Sequence, residues 1–208
     1  MITTKQMRVL ERAAAKKGIF AGDLMENAGK EVYLAVKEKY GLNGKHVVVF
    51  AGHGNNGGDG LVSAKYFSSE CPVIILFFGE KDKLSEEALE KYEEIKHKIN
   101  IVKISSKEDL DKFHLQKEAH FIFVDALLGV GIKGEARVPI SLGIDYFNSL
   151  TGDKIAIDVP SGIDADTGEA GQRSCEVDFI VTLHDVKVGL ERYLDKTVVV
   201  DIGLLKKN

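Results

Sequence analysis

Cysteine is scarce in this chain: Cys71 and Cys175 are the two in 208 residues. They lie far apart and match no zinc or redox spacing. Two buried thiols in a reducing compartment are therefore expected, since disulfides are rare there. Long apolar runs are missing too. None approaches the roughly 20 residues that cross a bilayer. Residues 1–18 form a charged helical pattern without the apolar h-region of a signal peptide. Both absences point to a cytoplasmic protein. There is no basic surplus either: 28 Lys and Arg against 32 Asp and Glu give a net charge of −4. That disfavours nucleic acid, which proteins approach with a basic face. It leaves room for a local anion site. The six histidines are scattered and form no His/Cys cluster of the zinc or iron type. Low-complexity stretches, internal repeats and linkers are likewise missing. Hydrophobic residues at 44% and charged residues at 29% are globular proportions, so disorder is not expected. A chain of this length folds as one domain without a disulfide or metal staple.

The order of elements predicts the fold. Thr3 or Thr4 caps a helix that runs to about Lys17, and Gly18 stops it. A second helix over 22–40 carries Leu24, Ala28, Val32 and Ala35 near one face and ends at Gly41. Residues 46–51 are then a short β-branched run, apolar almost throughout, as in a strand buried on both faces. A glycine-rich loop and a helix over 59–69 follow. The alternation recurs, with strands over 73–78, 101–104, 121–125 and 155–158. Helices are predicted over 85–98, 107–115 and 139–150. Two last strands, 178–183 and 197–202, have only a loop or short turn between them. This pattern predicts a parallel sheet between helices, with extra strands at one edge.

Residues 51–60 read A-G-H-G-N-N-G-G-D-G. Gly52, Gly54 and Gly57 reproduce a dinucleotide fingerprint, and Glu80 stands about twenty residues on, as that fingerprint asks. Three details fit it poorly. The loop continues with Gly58, Asp59 and Gly60; it holds two adjacent amides, Asn55 and Asn56; and Asp59 is an acid where a phosphate should sit. Amides supply both donors and acceptors, so such a loop can hold a phosphate and a cation side by side. A plain packing turn would need fewer glycines and no paired asparagines. Two further loops end in the same way. Asp125 closes one strand and is followed by a segment through Gly134. Asp158 closes another and leads into Val159-Pro160-Ser161-Gly162. Ligands of parallel sheets lie beyond the strands' carboxyl ends. Carboxylates, amide oxygens and turn carbonyls are oxygen ligands for a hard cation, and carbonyls suit potassium. His53 sits in the glycine loop. His184 and Lys187 follow a late strand and border either the pocket or solvent.

Taken together, Met25-Glu26-Asn27-Ala28-Gly29, the run from Gly54 to Gly60, the run from Asp125 to Gly131, and the run from Asp158 to Asp164 carry a resemblance. The chain resembles the N-terminal domain of the YjeF family, whose enzymatic members are NAD(P)H-hydrate epimerases. The resemblance implies a three-layer α/β/α Rossmann-like fold with a mostly parallel central sheet. It implies interconversion of the R and S hydrates of NADH and NADPH (NADHX and NADPHX), a metabolite repair that delivers the S form to a separate dehydratase. It places substrate against Asn55, Asn56, Gly57, Gly58 and Asp59, against Gly129, Val130, Gly131, Ile132, Lys133, Gly134 and Glu135, and against Asp158. It places one potassium ion per subunit on Asn56, Asp125 and Ser161, and it implies a homodimer. Residues 1–208 read as one such domain with no fused dehydratase. Residues 184–189 match the Lys-and-Gly stretch near the family's end only loosely.

The reaction inverts a ring carbon bearing a hydroxyl beside the ring nitrogen. Loss and return of water, or ring opening and closure, both move a proton at that hydroxyl. Asp158 is the candidate for that work, with positioning of the ring as its alternative role. Two other readings stand beside the epimerase. A non-catalytic dimeric nucleotide-binding scaffold of the same fold has no chemical need for Asn55, Asn56, Asp125 and Asp158. A dehydrogenase predicts a second, catalytic domain, for which this chain has no room.

Overall fold

The computed structural model describes residues 1–115, 119–131 and 134–204. Helix α1 (Thr4–Ala15) begins with a reciprocal cap. The Gln6 amide N–H donates to Thr3 Oγ1 at 3.2 Å, and the Thr3 amide N–H donates to Gln6 Oε1 at 2.9 Å. Helix α2 (Ala21–Tyr40) buries Met25, Ala28, Val32 and Val36 at three- and four-residue intervals and stops at Gly41, whose φ is +63°. Then follow β1 (Lys45–Ala51), α3 (Asn55–Phe67), β2 (Val73–Phe77), α4 (Glu86–Ile95) and β3 (Asn100–Lys103). The rest comprises α5 (Lys107–Asp111), β4 (His120–Ala126), α6 (Ile140–Ser149), β5 (Asp153–Ile157), β6 (Phe179–Leu183), a 3₁₀ helix (Val188–Lys196) and β7 (Thr197–Val200).

The seven strands form one sheet in the order β3-β2-β1-β4-β5-β6-β7, and every neighbouring pair is parallel. Side chains alternate across it. Val47, Val49 and Ala51 of β1 face a core built with α1, α2, α3 and α4. Val48 and Phe50 face a second core with α6 and the 3₁₀ helix. The expected three layers are there. The last two strands differ from expectation in one respect. They are parallel neighbours, and a short turn cannot join parallel strands. The 3₁₀ helix makes the crossover, and Leu190 buries it against the sheet. Among the described residues, no helix is long and apolar enough to cross a membrane.

The strand order reverses beside β1. The chain runs outward through β2 and β3, then returns to β4 on the other side. The crevice at that switch point is where such sheets receive ligands. A second difference lies here. Helix α3 starts at Asn55, not at Asp59, so the two asparagines and two glycines form its first turn. Glycine is a poor helix former, and the local pattern hid this start. Packing overrides propensity: a Cβ on Gly57 would collide with the Gly52 carbonyl, and one on Gly60 would lie 2.5 Å from Ala126 Cβ. The glycines let α3 sit directly on β1 and β4.

Candidate active site

Asp125 is fully buried one residue before β4 ends. The Ser161 amide N–H (2.7 Å), the Ser161 hydroxyl (2.6 Å) and the Leu127 amide N–H (3.1 Å) donate to its carboxylate. Burial pushes its carboxyl up, while these donors and the Cys175 thiol pull it down. Ser161 Oγ also accepts from the Leu128 amide N–H at 2.8 Å. Asn56, in the first turn of α3, donates its Nδ2 to the Leu128 carbonyl at 2.8 Å. Its Oδ1 is buried and has no hydrogen-bond partner among the described residues. A buried amide oxygen without a donor is costly. Asn56 and Ser161 meet at the Leu128 carbonyl, and Ser161 in turn holds the Asp125 carboxylate. That oxygen set suits a hard cation.

Asp158 follows β5 directly and has a φ of +67°, a left-handed conformation rare for residues other than glycine. Such strain is characteristic of functional sites. β6 ends the same way, at His184 with φ +69°. The twin turns bring the two strand ends together. Thr182 Oγ1 (3.2 Å) and the Leu183 amide N–H (3.1 Å) donate to Asp158 Oδ1, and so does Lys187 Nζ in a short ion pair. Lys187 is 1% exposed and also donates to the Leu183 carbonyl at 2.6 Å. A lysine this deep occurs only when paired.

Of these residues, Asn56, Leu127, Leu128, Asp158 and Leu183 border one cleft of 490 Å³. Its floor is the sheet edge, with Leu127, Asp158 and Leu183. One wall is the start of α3, with Asn55, Asn56 and Asp59. Another wall is α1, with Met7, Arg8 and Glu11. The first amide N–H groups of α3 have no partners within the helix and favour an anion there. Asp59 is 8% exposed, and no hydrogen bond to its carboxyl appears among the described residues. Burial, then the nearby Asp158 and Glu11, hold that carboxyl well above its ordinary range, against Lys187. Burial and Asp158 also raise Glu11, against Lys187 and Arg8. Of the cleft's carboxyls, Glu11, Asp59 and Asp158 thus lie near one another and near the buried Lys187 ammonium. His53 lines the cleft too, and its Nδ1 is buried without a hydrogen-bond partner among the described residues.

The structure brings together Asn55, Asn56, Asp59, Gly129, Val130, Gly131 and Asp158 on this cleft. Gly57 and Gly58, in the same first turn of α3, are buried and are not on its lining, and Gly58 packs against Met25. Gly134 and Glu135 line a separate cavity of 180 Å³ with Gly162, Glu169 and Arg173, on the far side of Leu128 and Gly129. Ile132 and Lys133 lie outside the described residues. Glu80 pairs with Lys103 at 2.7 Å and is not on the cleft. Sequence reasoning left Lys187 undecided and missed Thr182, Arg8 and Glu11. Lys187 gave a faint signal, a lysine four residues after a mostly apolar strand. Glu11 gave none, since charged residues on a terminal helix usually face solvent.

The family described as YjeF-related protein N-terminus matches residues 21–189 of this chain. A protein named NAD(P)H-hydrate epimerase from Nitrosopumilus maritimus is 34% identical over 198 residues, 94% of this chain and 90% of that protein. A protein named bifunctional NAD(P)H-hydrate repair enzyme Nnr from Hyperthermus butylicus is 37% identical over 97% of this chain, which spans only 38% of that longer protein. Among solved structures, the crystal structure of yeast ynu0 superposes with a TM-score of 0.83 at 24% identity. The match covers 97% of this chain and 87% of the yeast one, and shows the same fold.

Proposed function

We infer that this chain, which belongs to the YjeF-related N-terminal family, is an NAD(P)H-hydrate epimerase that interconverts the R and S hydrates of NADH and NADPH. The observation that carries this reading is Asp158. It is a carboxyl held by Lys187 in a strained turn, on the floor of a cleft whose wall is an anion-binding helix start. Pyrophosphate at the first turn of α3 and a hydrated nicotinamide ring over Asp158 account for both features. Asp158 exchanges a proton with the ring hydroxyl or with the water that replaces it. Thr182, Leu183 and Lys187 fix the Oδ1 atom, so the second oxygen is the one turned to substrate.

The oxygen cluster above fits a potassium ion. Asn56 would offer its unpartnered Oδ1, Asp125 its carboxylate and Ser161 its hydroxyl oxygen. A bound ion would supply a fixed positive charge that offsets Asp125 and the substrate's phosphates. The S hydrate would pass to a separate dehydratase, and we place the active assembly as a homodimer. Light scattering at assay concentration tests that assembly; a monomer mass refutes it.

The direct test mixes racemic NADHX with an S-specific dehydratase and follows NADH absorbance. The dehydratase alone stops near half recovery, apart from slow spontaneous epimerisation. Adding this protein should restore the rest quickly. A persistent R fraction, with and without potassium, sinks the epimerase reading and favours a binding scaffold.

A further inference from the structure

Inversion at one carbon poses a geometric problem that Asp158 alone does not solve. If the hydroxyl leaves from one face of the ring, the returning water must attack the other face. A single carboxyl on the cleft floor reaches one face. The other face is turned to a different wall, and α1 forms one.

Helix α1 lies outside the residues matched by the family, 21–189, yet it is firmly seated. The Thr4 amide N–H and hydroxyl donate to the Asp166 carboxylate at 2.7 and 2.6 Å. Ile2 bridges Lys187 in a parallel pairing, with the Ile2 amide N–H on the Val186 carbonyl at 2.7 Å. The segment that carries Lys187 therefore also sets α1. Met7, Glu11 and Ala15 recur every four residues and line the cleft. Glu11 is the one carboxyl on that stripe. The charged and titratable groups around it are Arg8 on its own helix, Asp158 on the floor with Lys187 buried against it, and Asp59, His53 and Glu87 elsewhere on the cleft.

We propose that Glu11 is the second acid–base catalyst of the epimerisation, serving the ring face that Asp158 does not. This rests on the epimerase reading above. In one direction the Glu11 carboxyl gives its proton to the departing hydroxyl. The C–O bond breaks, its electron pair leaves with water, and the ring-nitrogen lone pair closes a C=N bond. Water then adds from the other face. Its oxygen bonds to the carbon, the C=N pair returns to nitrogen, and the released proton goes to Asp158. The net result is an inverted centre and one proton moved from Glu11 to Asp158. The opposite epimer runs the same steps in reverse. Burial and the Asp158 charge make Glu11 hold its proton more tightly than an ordinary carboxyl, which suits the donor. Glu11 is exposed at the rim of the cleft, so it exchanges that proton with water between turnovers.

The test compares wild type, Glu11→Gln and Glu11→Asp in the coupled assay across pH. The proposal expects Glu11→Gln to lower kcat by about 100- to 10,000-fold, with KM little changed. It also expects Glu11→Gln to erase the alkaline fall in kcat that marks loss of the Glu11 proton. Glu11→Asp should restore part of the rate and that pH limb. Thermal unfolding controls for the fold, and if Glu11→Gln is unstable the Glu11→Asp profile decides. A Glu11→Gln enzyme with wild-type kcat, or with a lower kcat and an unchanged pH profile, overturns the proposal while leaving the epimerase in place. A wild-type protein that does not epimerise NADHX refutes the epimerase reading itself.

Discussion

Replacing Lys187 by Met separates a structural lysine from a dispensable one. The ammonium is 1% exposed and its partner Asp158 is 7% exposed. Removing one partner of a buried pair leaves the other uncompensated, at a cost of about 3–5 kcal/mol. Thr182 Oγ1 at 3.2 Å and the Leu183 amide N–H at 3.1 Å would remain on Asp158, which favours the low end. The Leu183 carbonyl would lose its 2.6 Å donor, adding about 1 kcal/mol. The sum is about 4 kcal/mol. For a chain of this size that is a fall in Tm of roughly 8–16 °C. Urea unfolding at neutral pH measures the free energy. Asp158→Asn combined with Lys187→Met should cost less than the two single changes added, by more than about 1 kcal/mol. A Lys187→Met deficit below about 1 kcal/mol, or full additivity of the two changes, refutes the buried-pair account.

Three further outcomes follow from the same geometry. Gly60→Ala should destabilise by about 1–3 kcal/mol, because its Cβ would lie 2.5 Å from Ala126 Cβ and overpacking outweighs the helix-propensity gain; a higher Tm would refute the close packing. Burial raises the Glu26 carboxyl, but hydrogen bonds from Lys65, Lys91 and Tyr66 outweigh it and hold it at about 2, against an ordinary 4.5. The stabilisation is therefore present above pH 4.5 and lost as pH falls toward 2, so wild type and Glu26→Gln should differ in urea titrations at pH 6 and converge near pH 2. Potassium chloride should raise Tm by several degrees over choline chloride at equal ionic strength, and Asn56→Ala should abolish that rise; an equal response in both proteins refutes the cation site.

The layered α/β fold, the parallel sheet and the edge that carries the site were legible in the sequence. Their signals are local. Apolar runs such as residues 46–51 mark doubly buried strands, Ser85 and Thr3 mark helix starts, and aspartates at two strand ends mark the functional edge. That amide and carboxylate oxygens gather at this edge was legible from residue type, whereas the set of Asn56, Asp125 and Ser161 was implied by the family resemblance. Three things were decided only in three dimensions. The start of α3 at Asn55 depends on glycines fitting against β1 and β4, which no local propensity encodes. The Asp158–Lys187 pair joins residues 29 apart, and it exists because two adjacent parallel strands end in the same left-handed turn. Glu11 reaches the cleft because Ile2 pairs beside Lys187 and Asp166 holds Thr4 from 162 residues away. Hydrophobic periodicity tells which face of α1 is buried. Only the docking of that helix on the far end of the chain tells what its neighbouring charges meet.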